Sequence, residues 1–181
     1  MRHQFDIALS FATENQPLVD EVYHYLRAEG YNVFFAPSPE GQAFISGKNQ
    51  NQIFYQIFGW DAEYVALFVT KDYIGKKVPM KEASIALTKR AGNDTVIPIY
   101  LDGAELPTEL FDPKQRNYYR SSNAVAIAAH LADRCRPSAS RTAPLSSTPQ
   151  PTPQSAGGMY VSGNTAQKQT FIQNHYGTLE L

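Results

Sequence analysis

The sequence predicts an α/β fold in which a parallel sheet carries helices on both faces. Three observations point there. Short runs rich in β-branched and aromatic residues alternate with stretches whose apolar residues recur at helical spacing, the pattern of repeated strand–helix units. The run YVALFVT at 64–70 is apolar throughout and too short for a free-standing helix, which marks a strand buried on both faces. Five strand-like runs suit the smaller doubly wound arrangement, flavodoxin-like, with strand order 2-1-3-4-5 and a crevice at the carboxyl ends of the strands.

Taken in order, FDIALSF (5–11) is the first strand and 12–16 the turn after it. Pro17 opens a helix with Leu18, Val22, Tyr25 and Leu26 along one face and Asp20, Glu21 and Arg27 toward water. Gly30 ends it with a left-handed cap. Residues 31–36 form the second strand. The stretch 37–47, with two prolines and two glycines, reads as a loop long enough to be functional. A second helix covers 48–58, with Ile53, Phe54 and Ile57 inward. Beyond the central strand at 64–70 a polar loop contains Gly75. Pro79 then suits the first position of a helix, where its missing N–H would be unpaired anyway. Ala83, Ala86, Leu87 and Ala91 follow at helical spacing, so Glu82 falls in the first turn, just past the carboxyl end of a central strand. Residues 95–101 are the fourth strand, in which Pro98 implies an edge or a bulge. An irregular connection (102–116), a short fifth strand (117–120) and a last helix (122–135) with Val125, Ala129, Leu131 and Ala132 inward complete the pattern.

Composition excludes several classes. With a formal net charge of −1 over 181 residues, electrostatics favour neither nucleic acid nor an anionic membrane. The one cysteine, Cys135, rules out an internal disulfide framework, fits a reducing cytoplasm, and has no base beside it for thiol catalysis. No run approaches the ~20 apolar residues of a membrane helix, and the apolar N-terminal run, which carries Asp6, reads as a folded strand rather than a signal peptide. His3, His24, His130 and His175 are scattered without ligand spacing, so no metal site is expected. The turn Ser10-Phe-Ala-Thr-Glu lacks glycine, against a dehydrogenase-type phosphate fingerprint. Asp6 has no acidic partner and Thr70 ends the third strand, against a phospho-acceptor site.

At Arg136 the composition changes abruptly. Residues 136–158 are dominated by Pro, Ser, Thr, Ala, Gly and Gln, a linker that cannot bury a core. Residues 159–181 regain aromatic and β-branched side chains among Asn164, Gln167, Gln169, Gln173 and Asn174, a β-prone tail suited to stacking copies or recruiting a partner.

Six stretches together resemble the TIR domain, in particular its bacterial antiviral-defence branch: FDIALSFA (5–12), GYNVFFAP (30–37), GKNQNQIF (47–54), AEYVALFVTKDYIGKK (62–77), KEASIAL (81–87) and VIPIYLDGAELP (96–107). Their order and spacing cover residues 4–135. The resemblance implies an enzyme that hydrolyses or cyclises NAD at the nicotinamide–ribose bond, an NAD glycohydrolase or ADP-ribosyl cyclase. NAD is then substrate rather than cofactor. It also implies self-association through the domain, and a sensor partner is compatible with it. Its catalytic glutamate corresponds to Glu82. A carboxylate suits this chemistry because an oxocarbenium-like transition state is stabilised by a nearby anion. Without the resemblance, Glu82 is an acid favoured near a helix N-terminus by up to ~1 kcal/mol.

Ser10, Phe11 and Ala12 correspond to the first loop, which borders the dinucleotide; Phe11 also suits the core. Phe35 and Phe44 are candidates to flank a base, and Lys48 to meet phosphate, although strand-end aromatics more often pack inside. Trp60 suits packing at a helix end, and Asp102, before Gly103, suits an Asx-turn. One departure from the pattern stands beside the glutamate: relatives that cleave NAD usually carry tryptophan where this chain has Val78, and the segment Ala43-Phe-Ile-Ser46 also differs. These changes leave a second expectation open, a non-catalytic scaffold that joins partner TIR proteins.

Overall fold

A computed structural model describes residues 3–135; the linker and tail expected over 136–158 and 159–181 lie outside the described residues. Five parallel strands, β1 (Phe5–Phe11), β2 (Val33–Phe34), β3 (Ala62–Val69), β4 (Val96–Tyr100) and β5 (Tyr119–Arg120), form one sheet in the order β2-β1-β3-β4-β5. This is the order that the alternation of strand and helix patterns predicts. The β3 run Val65–Val69 is buried on both faces, as its unbroken apolar character requires.

Among the described residues six α-helices accompany the sheet: α1 (Gln16–Ala28), α2 (Pro39–Ile45), α3 (Gln50–Gln56), α4 (Lys71–Gly75), α5 (Lys77–Lys89) and α6 (Ala124–Arg134). One core layer joins α1 and α6 to one face of the sheet through Val19, Val22, Leu26, Ile127 and Leu131. The other joins α3 and α5 to the opposite face through Ile53, Phe54, Ala83, Ala86 and Leu87. Gly30 ends α1 at φ 87°, a left-handed position that glycine adopts freely.

The inward stripes of two helices differ from the sequence reading. On α1, Val19 and Tyr23 are buried and Tyr25 is exposed; on α6, Ala124, Ile127 and Ala128 are buried and Val125 is 60% exposed. Both helices carry apolar residues off the buried stripe as well as on it, and packing of α1 and α6 in one core layer on the sheet decides which of them are covered. Pro98 lies inside the sheet, opposite Leu67 of β3. The Leu101 amide donates to Val69 O on the β3 side, so the alternating pattern turns the Pro98 nitrogen toward β5. The β5 ladder begins only at Ile99–Tyr119, and no donor is missed.

The stretch read as a loop over 37–47 contains α2. Ser38 caps it by accepting from the Gly41 amide at 2.9 Å, and Pro39 takes the first position, where it fits a helix. Gly41 is there for space: a Cβ on it would lie 2.1 Å from Phe35 O. Gly41→Ala is therefore expected to cost about 1–3 kcal/mol by displacing backbone, read as a lowered urea midpoint at unchanged slope. An unaltered midpoint would contradict this account of the α2 approach.

The helix read over 48–58 is α3, which spans Gln50–Gln56 and continues as a π-helical turn, Ile57–Asp61. The buried Arg90 guanidinium holds this turn against β3, donating to Phe58 O (2.8 Å), Glu63 O (2.9 Å) and Ala62 O. Burial lowers the Arg90 pKa from its ordinary value. Trp60, expected to pack at a helix end, is 54% exposed in this turn.

Candidate active site

Two local signals hold the site. Thr70, at the end of β3, caps α4: its Oγ1 accepts from the Tyr73 amide at 3.1 Å, so the segment read as a polar loop with Gly75 is a short helix. Asp102 forms the expected Asx-turn, accepting from the Ala104 amide at 2.7 Å, and also accepts from the Lys71 amide at 3.1 Å. The loops beyond β3 and β4 are thereby tied together at the carboxyl edge of the sheet.

Helix α5 begins at Lys77, two residues before Pro79, which occupies the first turn without loss because amides there are unpaired in any case. Glu82 is consequently in the second turn rather than the first, and no acid stands in the first turn. The macrodipole account of a carboxylate here fades with that shift, since the effect falls off within one turn. Glu82 also points inward: it is 8% exposed. Residues 77, 78, 81, 82 and 85 of α5 share one face and, with Gln50, Asn51 and Phe54 of α3, line a cleft of about 230 Å³. Lys81 Nζ donates to Asn51 Oδ1 at 3.0 Å across it.

Beneath the cleft three polar groups meet in an apolar layer. Ser10, from β1, donates through Oγ to Glu82 Oε2 at 2.7 Å, and its Oγ lies 2.7 Å from the Tyr73 hydroxyl of α4. Ser10 and Tyr73 are 1% and 0% exposed. Burial pushes the Glu82 carboxyl up to about 8, opposed by the Ser10 hydrogen bond. Burial, and next the nearby Glu82 charge, also raise the Tyr73 phenol well above its ordinary range. The arrangement is a protonatable carboxyl with one oxygen fixed by a hydroxyl, set in the wall of an accessible cleft.

Of the residues singled out in the sequence, the structure brings together Glu82, Ser10 and Val78. Val78 lines the cleft and is 44% exposed. Ala12 is fully buried in the same apolar layer. Phe11 stacks on Phe35 at 5.4 Å, and Phe35 on Tyr23 at 4.9 Å, within the α1 side of the core. Phe44 packs edge-on against Phe5 with Lys48 Nζ 3.8 Å from its ring centre. Phe35, Phe44 and Lys48 are not among the cleft-lining residues. Cys135 is buried and its thiol is pushed up to about 12 by burial. Among the described residues no group of three or more His, Cys, Asp or Glu side chains converges, and no helix is long and apolar enough to cross a membrane.

The sequence reading missed Tyr73 and most of the cleft wall. Tyr73 had a signal, an aromatic residue three positions after a capping threonine, but its contact with Ser10 spans 63 positions. Lys77 and Lys81 were readable as an i,i+4 pair once the helix start was known.

A family model described as TIR domain matches residues 7–134. Among curated proteins, the chain is similar to the 3' cyclic ADP-D-ribose synthase AaTIR of Aquimarina amphilecti, 31% identical over 108 residues, or 58% of this chain and 32% of that protein. The chain thus spans about a third of the length of that relative. Among solved structures, the TIR domain of the Toll-related Receptor TRR-2 from Hydra magnipapillata is similar, with a TM-score of 0.51 at 14% identity over 73% of this chain and 98% of that one. That likeness concerns the fold alone.

Proposed function

The chain belongs to the TIR domain family, and from that premise we propose that it is an enzyme cleaving the nicotinamide–ribose bond of NAD. The observation that carries the reading is the buried Glu82 carboxyl in the cleft wall, anchored by Ser10 at 2.7 Å. The similarity to a protein named as a 3' cyclic ADP-D-ribose synthase supports chemistry at an ADP-ribosyl group. A cleft of about 230 Å³ is below the ~300–1,000 Å³ of drug-sized ligand sites. It therefore suits one end of a dinucleotide, the nicotinamide riboside, while the rest lies outside.

In this reading the glycosidic C–N bond breaks heterolytically. Its electron pair leaves with nicotinamide, which becomes neutral, and positive charge develops on the ribose. Ionised Glu82 stabilises that charge at low dielectric. Free Glu82 is mostly protonated at neutral pH, given its pKa of about 8. The cationic nicotinamide ring of the substrate favours the ionised form when it binds. Lys77 and Lys81, in the cleft wall, supply positive charge for the diphosphate. Water then adds to the ribose cation and gives up a proton to yield ADP-ribose, or an internal nucleophile closes a cyclic isomer. Activation by self-association, through the domain and the tail at 159–181, and a role in cytoplasmic antiviral defence alongside a separate sensor complete the proposal.

A scaffold function is the second reading, favoured by Val78 where NAD-cleaving relatives usually carry tryptophan. Incubating the full chain with NAD over a range of protein concentrations, and separating the products, divides the two. Free nicotinamide with ADP-ribose or a cyclic isomer is expected. Intact NAD at every concentration, in a chain that self-associates, would establish the scaffold.

Val78→Trp is expected to lower KM for NAD roughly tenfold, since one stacked aromatic face contributes ~1–3 kcal/mol. Val78 is half-exposed and faces the cleft, so the larger ring does not overpack the core. A folded variant with unchanged KM and kcat would remove an aromatic role from this position.

A further inference from the structure

We propose that Tyr73 and Ser10 are positioning residues for Glu82: the Tyr73 hydroxyl donates to Ser10 Oγ, Ser10 donates to Glu82 Oε2, and this two-link relay fixes the carboxyl so that Oε1 meets the substrate. The part concerning substrate rests on the NAD-cleaving reading. The direction of the relay follows from proton counting. With Glu82 ionised the carboxylate can only accept, so the single proton of the Ser10 hydroxyl goes to Glu82 Oε2 at 2.7 Å. The proton between Ser10 and Tyr73, also 2.7 Å apart, must then come from the phenol.

The three groups come from β1, α4 and α5, so the relay is assembled only in the folded chain. Tyr73 lies in an apolar layer with Leu67, Val69 and Ala83, where phenylalanine would fill nearly the same volume without burying a hydroxyl. A buried hydroxyl costs free energy unless it is paired, and Ser10 is the partner found. Glu82 Oε1 has no protein donor among the described residues, while Glu82 lines the cleft. One oxygen is therefore anchored and the other offered.

Other charged groups around the carboxyl are on the cleft side. Lys77 and Lys81 flank it on α5, and Lys81 is bonded to Asn51 of α3. Lys76, ahead of α5, is paired with Glu14 at 2.6 Å. Among the described residues the Ser10 hydroxyl is the hydrogen-bond partner found at the carboxyl, and it favours the ionised form.

The test uses the full chain as wild type, Tyr73→Phe, Ser10→Ala and Ser10→Thr, with carbon-13 carboxyl NMR of Glu82 (assigned by its loss in Glu82→Gln) and steady-state kinetics on NAD. Ser10→Ala is expected to raise the Glu82 titration midpoint by roughly one unit, as loss of a bond to the charged form does, and Tyr73→Phe, which acts through Ser10, to raise it in the same direction by less. Both should lower kcat roughly tenfold with KM nearly unchanged, the split expected of an interaction that matters in the transition state. Ser10→Thr, which keeps the hydroxyl, should restore the midpoint. An unmoved midpoint in the folded Tyr73→Phe and Ser10→Ala proteins would overturn the relay. A midpoint that moves in proteins that never release nicotinamide would uphold the relay and overturn its role toward substrate.

Discussion

Glu82→Gln is expected to lower NAD turnover by a factor of roughly 10²–10³ or more, the usual loss when an oriented electrostatic group is removed from a water-poor site. The exchange keeps volume and shape. The amide oxygen of glutamine still accepts from Ser10, so the hydrogen bonds beneath the cleft survive. What disappears is the negative charge beside the ribose. Circular dichroism and oligomeric state should match wild type. Nicotinamide release equal to wild type, at matched assembly, would show that the buried carboxyl has no part in the chemistry.

The same substitution is expected to have a large effect on the pH dependence of stability. Burial raises the Glu82 pKa from 4.5 to about 8. The native state thus keeps a proton that the unfolded chain gives up. The stability tied to that proton is fully present below about pH 4.5, declines as pH rises, and is lost once pH passes about 8. Each pKa unit corresponds to about 1.4 kcal/mol, so several kcal/mol separate the two ends of the window. Glu82→Gln lacks this dependence. Urea unfolding from pH 5 to 8.5 should show wild type losing several kcal/mol relative to the variant, which becomes the more stable protein at high pH. Other groups that titrate in this range, His130 among them, are common to both chains and cancel in the difference. Parallel curves would mean that Glu82 ionises in the folded state as it does in the unfolded chain.

The strands were legible because their signal is local. YVALFVT can be satisfied only where both faces are covered, and β3 is the central strand. Pro98 was informative too, although it marks the uncovered flank of β4 rather than a true edge. Helix α2 was hidden because Pro39 and Gly41 are turn residues by habit. The proline serves as a helix starter, and the glycine clears the Phe35 carbonyl. Val125 and Tyr25 misled because an apolar residue on a helix declares its face only once a neighbour has docked.

At the site, the position of Glu82 after the third strand was readable, while its burial was not. A carboxylate's environment is made by residues far away in the chain: Ser10 is 72 positions distant. Tyr73 stayed invisible for the same reason. Its hydroxyl has meaning only once α4 has folded back over the end of β1.

The most direct test of the account is the pH dependence of kcat/KM for NAD, measured on the full chain between pH 5.5 and 9.5 and normalised to the folded fraction. This quantity reports groups in the free enzyme. If ionised Glu82 does the chemistry, kcat/KM rises tenfold per pH unit at low pH and levels off with a midpoint near 8, the value that burial imposes. A profile that is flat across this range, or that falls as Glu82 ionises, would contradict the central claim.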